Sequence, residues 1–272
     1  DVLEQIVEFL LSHGVHALFP GGTTGEGMLL SLQERQELAE AVVKYVAGRV
    51  PVIVQTGCIN TVDAVCLTRH AQEIGATAVA VIVPFFYTLE DTSLLNHFVT
   101  VAQATPNFPI FLYTIPGNTK NDLSPLLLKQ LRQQVPNIVG LKSSNPDTLR
   151  FQDYLDVGGE NFTALNGVDG LMGAALNLGA KGQVTGNSNA FPEAFCALYQ
   201  AHLDGNPAKV KSQQRRINQI RQLVKDGLHP AYYKAVLRLR GIPASYVRSP
   251  LRELTAEEFA QLERGCHELG LL

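Results

Sequence analysis

The chain has no excess of positive charge: 22 Lys and Arg stand against 25 Asp and Glu in 272 residues, a formal net charge of −3. With a pI near 6.2 it offers no bulk field that would draw it to nucleic acid or to an anionic membrane. Charge of either sign is scarce, at 17% against 46% hydrophobic residues, so extended disorder is excluded and there is ample material for a core. Long apolar runs are missing too. The longest, such as 78–86, fall far short of the ~20 residues that cross a bilayer, and the opening residues do not read as a leader peptide. Cysteine is sparse: Cys58, Cys66, Cys196 and Cys266 are widely spaced without a CxxC pair, which argues against a disulfide framework or a zinc ribbon. These absences describe a soluble protein of a reducing compartment, expected in the cytoplasm, with no nucleic-acid and no membrane partner.

What is present is a repeat of short apolar, β-branched runs at 15–19, 51–56, 78–83, 109–113, 138–142, 162–166 and 180–185. Runs this uniformly apolar predict strands covered on both faces. Helical-period stretches separate them: 31–47, opened by a capping-box pattern of Ser31 and Glu34, and 61–74, ended by Gly75, are examples. Such alternation means parallel βα units, and two folds compete, an open doubly wound sheet and a closed (β/α)8 barrel. Even spacing of roughly thirty residues and a length near the ~250 typical of a barrel favour the (β/α)8 TIM barrel. Residues 1–204 are read as the barrel and 205–272 as a helical extension, with helices expected at 192–203, 207–225, 230–238 and 255–269.

One strand is missing from this count. The chain opens on an amphipathic segment, 2–11, and only seven runs follow. Seven strands do not close a standard eight-stranded barrel. A first strand ahead of Asp1, absent from this chain, is one expectation. A neighbouring segment filling the slot between the 15–19 and 180–185 strands is its rival.

A parallel barrel carries its active site at the carboxyl ends of the strands. Four such ends draw attention. Gly21-Gly22-Thr23-Thr24-Gly25-Glu26 joins small residues, which let a ligand approach the backbone, to two hydroxyl donors suited to a carboxylate. It lacks the Gly-Lys-Ser/Thr of a Walker loop and the glycine order of a dinucleotide fold, and taken alone it reads more readily as a simple turn. Tyr113 closes 109–113 and Lys142 closes 138–142. A lysine ending a buried strand must find a partner for its charge or lose it, and an uncharged amine is a nucleophile that forms a Schiff base with a ketone. A neighbouring phenol supplies the proton transfers that chemistry requires. The alternative is a rim lysine in a salt bridge beside a core aromatic. The fourth end, 182–187, offers backbone groups and little acid–base chemistry.

Taken in order, GGTTGE, VPFFY, YTIPGNT, GLKSS, LNGVDG and GQVTGNSNAFPE resemble the dihydrodipicolinate synthase/N-acetylneuraminate lyase family of class I pyruvate-dependent aldolases, along the whole chain. The resemblance implies a (β/α)8 barrel with extra C-terminal helices, usually assembled as a homotetramer or homodimer, in which Lys142 holds pyruvate as a Schiff base. It makes Tyr113 the acid–base group, gives Thr23 and Thr24 the carboxylate and Thr24 a proton relay, and has Gly167 and Val184 line the pocket through their backbones. Pyruvate and a small aldehyde or 2-keto acid are the implied partners, with neither metal nor organic cofactor.

Two positions depart from the family's pattern. Members that condense pyruvate with aspartate semialdehyde carry arginine where this chain has Asn118, so a carboxylate ligand is lost. Phe86 stands where the family tends to place a tyrosine lent across a dimer, with Tyr87 beside it. The 184–189 loop, followed by Pro192 and Glu193, looks more like members acting on 2-keto-3-deoxy sugar acids. The leading reading is a Schiff-base lyase cleaving a 2-keto acid to pyruvate and an aldehyde. Its rivals are 4-hydroxy-tetrahydrodipicolinate synthase and a non-catalytic binding protein on the same barrel. The seven histidines show no metal-ligand spacing, the basic stretch from Lys209 to Lys225 reads as a solvated or subunit-facing surface, and Asp63, Asp91 and Asp147 read as helix-start charges.

Overall fold

A computed structural model describes residues 1–227 and 229–272. In chain order the regular elements begin with α1 (Val2–Ser12), α2 (Leu32–Val46), β1 (Ile53–Gln55), α3 (Thr61–Glu73), β2 (Ala78–Ile82) and α4 (Asp91–Gln103). They continue with β3 (Ile110–Thr114), α5 (Pro116–Thr119), α6 (Pro125–Gln134), β4 (Ile138–Ser143), α7 (Thr148–Gly158), β5 (Thr163–Asn166), α8 (Met172–Leu178) and β6 (Gly182–Gln183). Helices α9 (Pro192–Leu203), α10 (Pro207–Leu223), α11 (Ala231–Leu239) and α12 (Ala256–Glu268) complete the set.

All strands are parallel and pair in the consecutive order β1-β2-β3-β4-β5-β6. A doubly wound sheet reverses its order at a switch point, and this sheet does not, so the topology is that of an eightfold βα barrel. Burial explains the composition of the strands: every residue of β2 and β3 is buried, as required of strands with cover on both faces.

By internal packing the chain forms two compact units, residues 17–21 with 31–184, and residues 1–16 with 22–30 and 185–272. The first contains the sheet and α2 to α8. Its helices start on the signals read from sequence: Ser31 and Glu34 form the capping box of α2, Asp147 caps α7 by accepting from the amides of Leu149 and Arg150, and Asp63 and Asp91 lie in first turns. The second contains α1 and α9 to α12. There Val2, Ile6 and Phe9 of α1 pack on Leu237, Ile242 and Ala244, and a second capping box, Thr255 with Glu258, opens α12.

The predicted strand at 15–19 does not form. Only Leu18 makes a bridge, parallel to Val52, although the hydrogen bonds Leu18 N to Pro51 O (3.0 Å), Ile53 N to Leu18 O (2.9 Å) and Gln55 N to Pro20 O (3.0 Å) follow a parallel ladder. Pro20 accepts the last of these bonds but lacks an amide proton to donate, and Gly21 turns at φ +74°, so the ladder ends there. The expected strand at 180–185 likewise shrinks to Gly182–Gln183: Val184 makes one more bond to β5, at Asn166 O, and the chain then enters a short 3-10 turn, Asn187–Asn189. Among the described residues β6 pairs with β5 and the Leu18 bridge with β1, and no ladder bond joins those two ends. That is the arrangement expected when the first barrel strand is absent, not that of a closed seven-stranded sheet.

Candidate active site

The register of β3 on β4 sets Tyr113 directly opposite Lys142, so both side chains leave the same face of the sheet. Lys142 is 7% exposed and Tyr113 1%. The Lys142 Nζ lies 4.0 Å from the centroid of the Tyr113 ring and 4.6 Å from that of Phe19, and the two rings meet edge to face at 6.1 Å. Among the described residues no carboxylate reaches Lys142, so the rim salt bridge weighed from the sequence is not what forms. Aromatic walls remove the amine from water while leaving its lone end unclaimed by an acid. Phe19 was not singled out from the sequence. Its signal was its position as the last apolar residue before a proline.

Gly167 follows β5 and donates its amide to Ser143 O at 2.7 Å. A Cβ on this glycine would collide with Ser144 Oγ and stand 3.2 Å from Lys142 Cε, so the bare Cα leaves room for the serine hydroxyl beside the lysine stem. Val184 donates its amide to Asn166 O at 2.8 Å. Beyond them runs a polar row missing from the sequence reading: Asn166 Nδ2 donates to Gln183 Oε1 (2.5 Å) and Gln183 Nε2 to Asp169 Oδ1 (2.7 Å). Asp122 was also missed. It accepts from Thr114 Oγ1 at 2.6 Å, from Arg150 Nη1 at 3.3 Å and from Asn145 Nδ2 at 3.4 Å, and so ties the end of β3 to the loop after β4. Asn118, on the exposed side of α5, sits five residues beyond Tyr113 at the same end of the sheet.

Thr23 and Thr24 belong to the other compact unit. Thr23 is exposed and Thr24 half-buried, in a turn closed by Glu26 N to Thr23 O (3.1 Å) and Gly27 N to Gly22 O (3.2 Å). Thr24 packs so tightly on Gly186 that a Cβ there would overlap its Oγ1. Phe86 and Tyr87 are 69% and 64% exposed, in edge-to-face contact at 5.0 Å. Their loop is held from beneath by Asn121, which donates to Pro84 O and Tyr87 O at 2.7 Å each and accepts from Leu89 N at 2.9 Å. Among the described residues no group of three or more His, Cys, Asp or Glu could hold a metal ion, and no helix is long and apolar enough to cross a membrane.

Comparison with known proteins gives one consistent result. The model of the dihydrodipicolinate synthetase family matches residues 1–268. An uncharacterised DapA-like lyase of Halobacterium salinarum is 36% identical over 272 residues, which is 100% of this chain and 88% of the relative. A 4-hydroxy-tetrahydrodipicolinate synthase of Thermus thermophilus is 33% identical over 272 residues, covering 100% of this chain and 91% of its own. The crystal structure of dihydrodipicolinate synthase from Aquifex aeolicus superposes with a TM-score of 0.94 at 31% identity, over 99% of this chain and 92% of that one. A prophage protein of the dihydrodipicolinic acid synthase family from E. coli K12, solved in complex with pyruvate, gives 0.93 at 30% identity, again over 99% and 92%. The chain belongs to the dihydrodipicolinate synthetase family of pyruvate-dependent aldolases.

Proposed function

We propose that the protein is a class I, Schiff-base-forming lyase that reversibly cleaves a 2-keto acid into pyruvate and an aldehyde. The observation that carries this reading is the buried Lys142 amine enclosed by Tyr113 and Phe19 without an acidic partner. In the cleavage direction Lys142 Nζ attacks C2 of a 2-keto-4-hydroxy acid, and loss of water yields a protonated Schiff base. Removal of the C4 hydroxyl proton then breaks the C3–C4 bond. The electron pair flows into the iminium as an enamine and the aldehyde leaves. Protonation of C3 and hydrolysis release pyruvate and restore the amine. Tyr113 is the group proposed to move these protons and Thr24 to relay them. Thr23 and Thr24 take the carboxylate, and the backbones of Gly167 and Val184 border the keto acid. No metal or organic cofactor enters these steps.

Asn118 offers neutral hydrogen-bonding groups where a guanidinium would clamp a carboxylate, which supports an uncharged, hydroxylated aldehyde such as that released from a 2-keto-3-deoxy sugar acid. The second reading, 4-hydroxy-tetrahydrodipicolinate synthase, draws on the Thermus relative so named. Comparing kcat/KM for aspartate semialdehyde and for a 2-keto-3-deoxy sugar acid separates the two. The exposed Phe86 and Tyr87 support assembly as a homodimer or homotetramer.

Borohydride reduction in the presence of pyruvate, followed by peptide mass measurement, tests the central claim. The peptide containing Lys142 should carry one reduced pyruvyl group, and Lys142→Ala should carry none. Equal labelling of Lys142→Ala, or an unlabelled wild type, overturns it.

A further inference from the structure

We propose that Glu26 is a positioning residue for the turn that bears Thr23 and Thr24, clamped from the C-terminal tail by Lys234 and by the amide of Arg248. The inference rests on the aldolase reading, in which that turn receives the substrate carboxylate.

Glu26 is a buried carboxylate on a left-handed backbone, at φ +56°. A non-glycine residue there costs roughly 1–2 kcal/mol, so other contacts must hold it in place. It precedes the 3-10 turn Gly27–Leu29 yet makes no capping bond to it, so the side chain serves no local purpose. Instead Oε1 pairs with Lys234 Nζ at 2.7 Å, and Oε2 accepts from Arg248 N at 2.7 Å across a separation of 222 residues. Lys234, on α11, is fixed in turn by donating to Tyr246 O at 2.7 Å. Both carboxylate oxygens are thus engaged by the tail. Three residues back, Thr23 O accepts from the amide of Glu26 itself, and Thr24 is pressed against Gly186. Moving Glu26 therefore moves the hydroxyls. A buried ion pair adds little net stability over a neutral pair of similar size, so the clamp's consequence lies in geometry.

The test variant is the double substitution Glu26→Gln with Lys234→Met, which removes the buried carboxylate and its half-buried partner together and so strands neither charge. Two readouts are taken on the full-length chain: hydrogen exchange of the amides in residues 22–27, without substrate, and the KM for pyruvate. Exchange in the turn should quicken about tenfold and KM should rise about tenfold. Labelling of Lys142 at saturating pyruvate should stay at one per chain. Lys234→Arg, which keeps the charge, should restore both readouts towards wild type. A merely structural contact would lower the folded fraction and quicken exchange but leave KM alone, so an unchanged KM in the folded double variant overturns the proposal. Should that variant not fold, Glu26→Gln alone is read in the same two ways. A wild type that is not labelled on Lys142 sinks the aldolase reading, and the exchange rates then decide the clamp by themselves.

Discussion

At the scale of single residues, the proposed chemistry depends on what surrounds Lys142 as well as on the lysine itself. Tyr113 does two jobs, as a ring against the amine and as a phenol, and these can be separated. Tyr113→Phe keeps the ring and its contact with Phe19, so the urea midpoint should reflect a loss of about 1 kcal/mol or less. Turnover should fall ~10²-fold or more if the phenol carries the proposed proton transfers. Steady-state kinetics with chemical denaturation checks both halves, and an unchanged kcat would hand the proton transfers to another group. Tyr113 and Lys142 were legible in the sequence because each ends an apolar run. Phe19, Asp122 and the row Asn166, Gln183 and Asp169 were not, since they act through partners distant in sequence, and spacing carries no trace of such pairings.

At the scale of elements, helices announced themselves and short strands did not. Ser31 with Glu34 and Pro at residues 192 and 207 are local signals, and α2, α9 and α10 begin where those residues stand. A strand instead exists by virtue of its neighbour, so the run at 15–19 contributes one bridge because Pro20 and Gly21 end its ladder. The loop bearing Phe86 and Tyr87 is the element most dependent on a single side chain. Phe86 sits at φ +78°, and the three hydrogen bonds of Asn121, itself 3% exposed, hold the loop in that shape. Asn121→Ala leaves the buried Pro84 carbonyl and the half-buried Tyr87 carbonyl without this donor and should cost about 2–3 kcal/mol. Hydrogen exchange and proteolysis should quicken at residues 84–89 ahead of the rest of the chain. Uniform protection in the variant would show that the loop is held by other contacts.

At the scale of the whole molecule, stability should respond to acid through His97. This imidazole is buried on α4, with Nδ1 bonded to Thr61 Oγ1 at 2.9 Å and Nε2 without a partner among the described residues, and burial lowers its pKa from 6.5 to about 4. The folded state therefore holds it neutral where the unfolded chain binds a proton. Its contribution is intact above pH 6.5 and is lost as the pH falls towards about 4. At roughly 1.4 kcal/mol per pH unit, that window is worth up to about 3 kcal/mol. His97→Gln should lose less stability than the wild type between pH 7 and pH 4.5 when urea midpoints are compared. Identical pH dependence would show that other groups carry the acid response.

Read by itself, the sequence determined the parallel βα order, the helix starts, the lysine and tyrosine at adjacent strand ends and the family, because each is written in local periodicity, capping chemistry or short motifs. Tertiary structure alone decided that Lys142 lies between two aromatic rings, that a side chain on Gly167 would strike Ser144 beside it, and that Glu26 is gripped from residues 234 and 248. The physical reason is the same in each case. Burial, pairing and steric exclusion are properties of groups brought together by packing, and a linear pattern shows which residues are able to meet without showing which of them do.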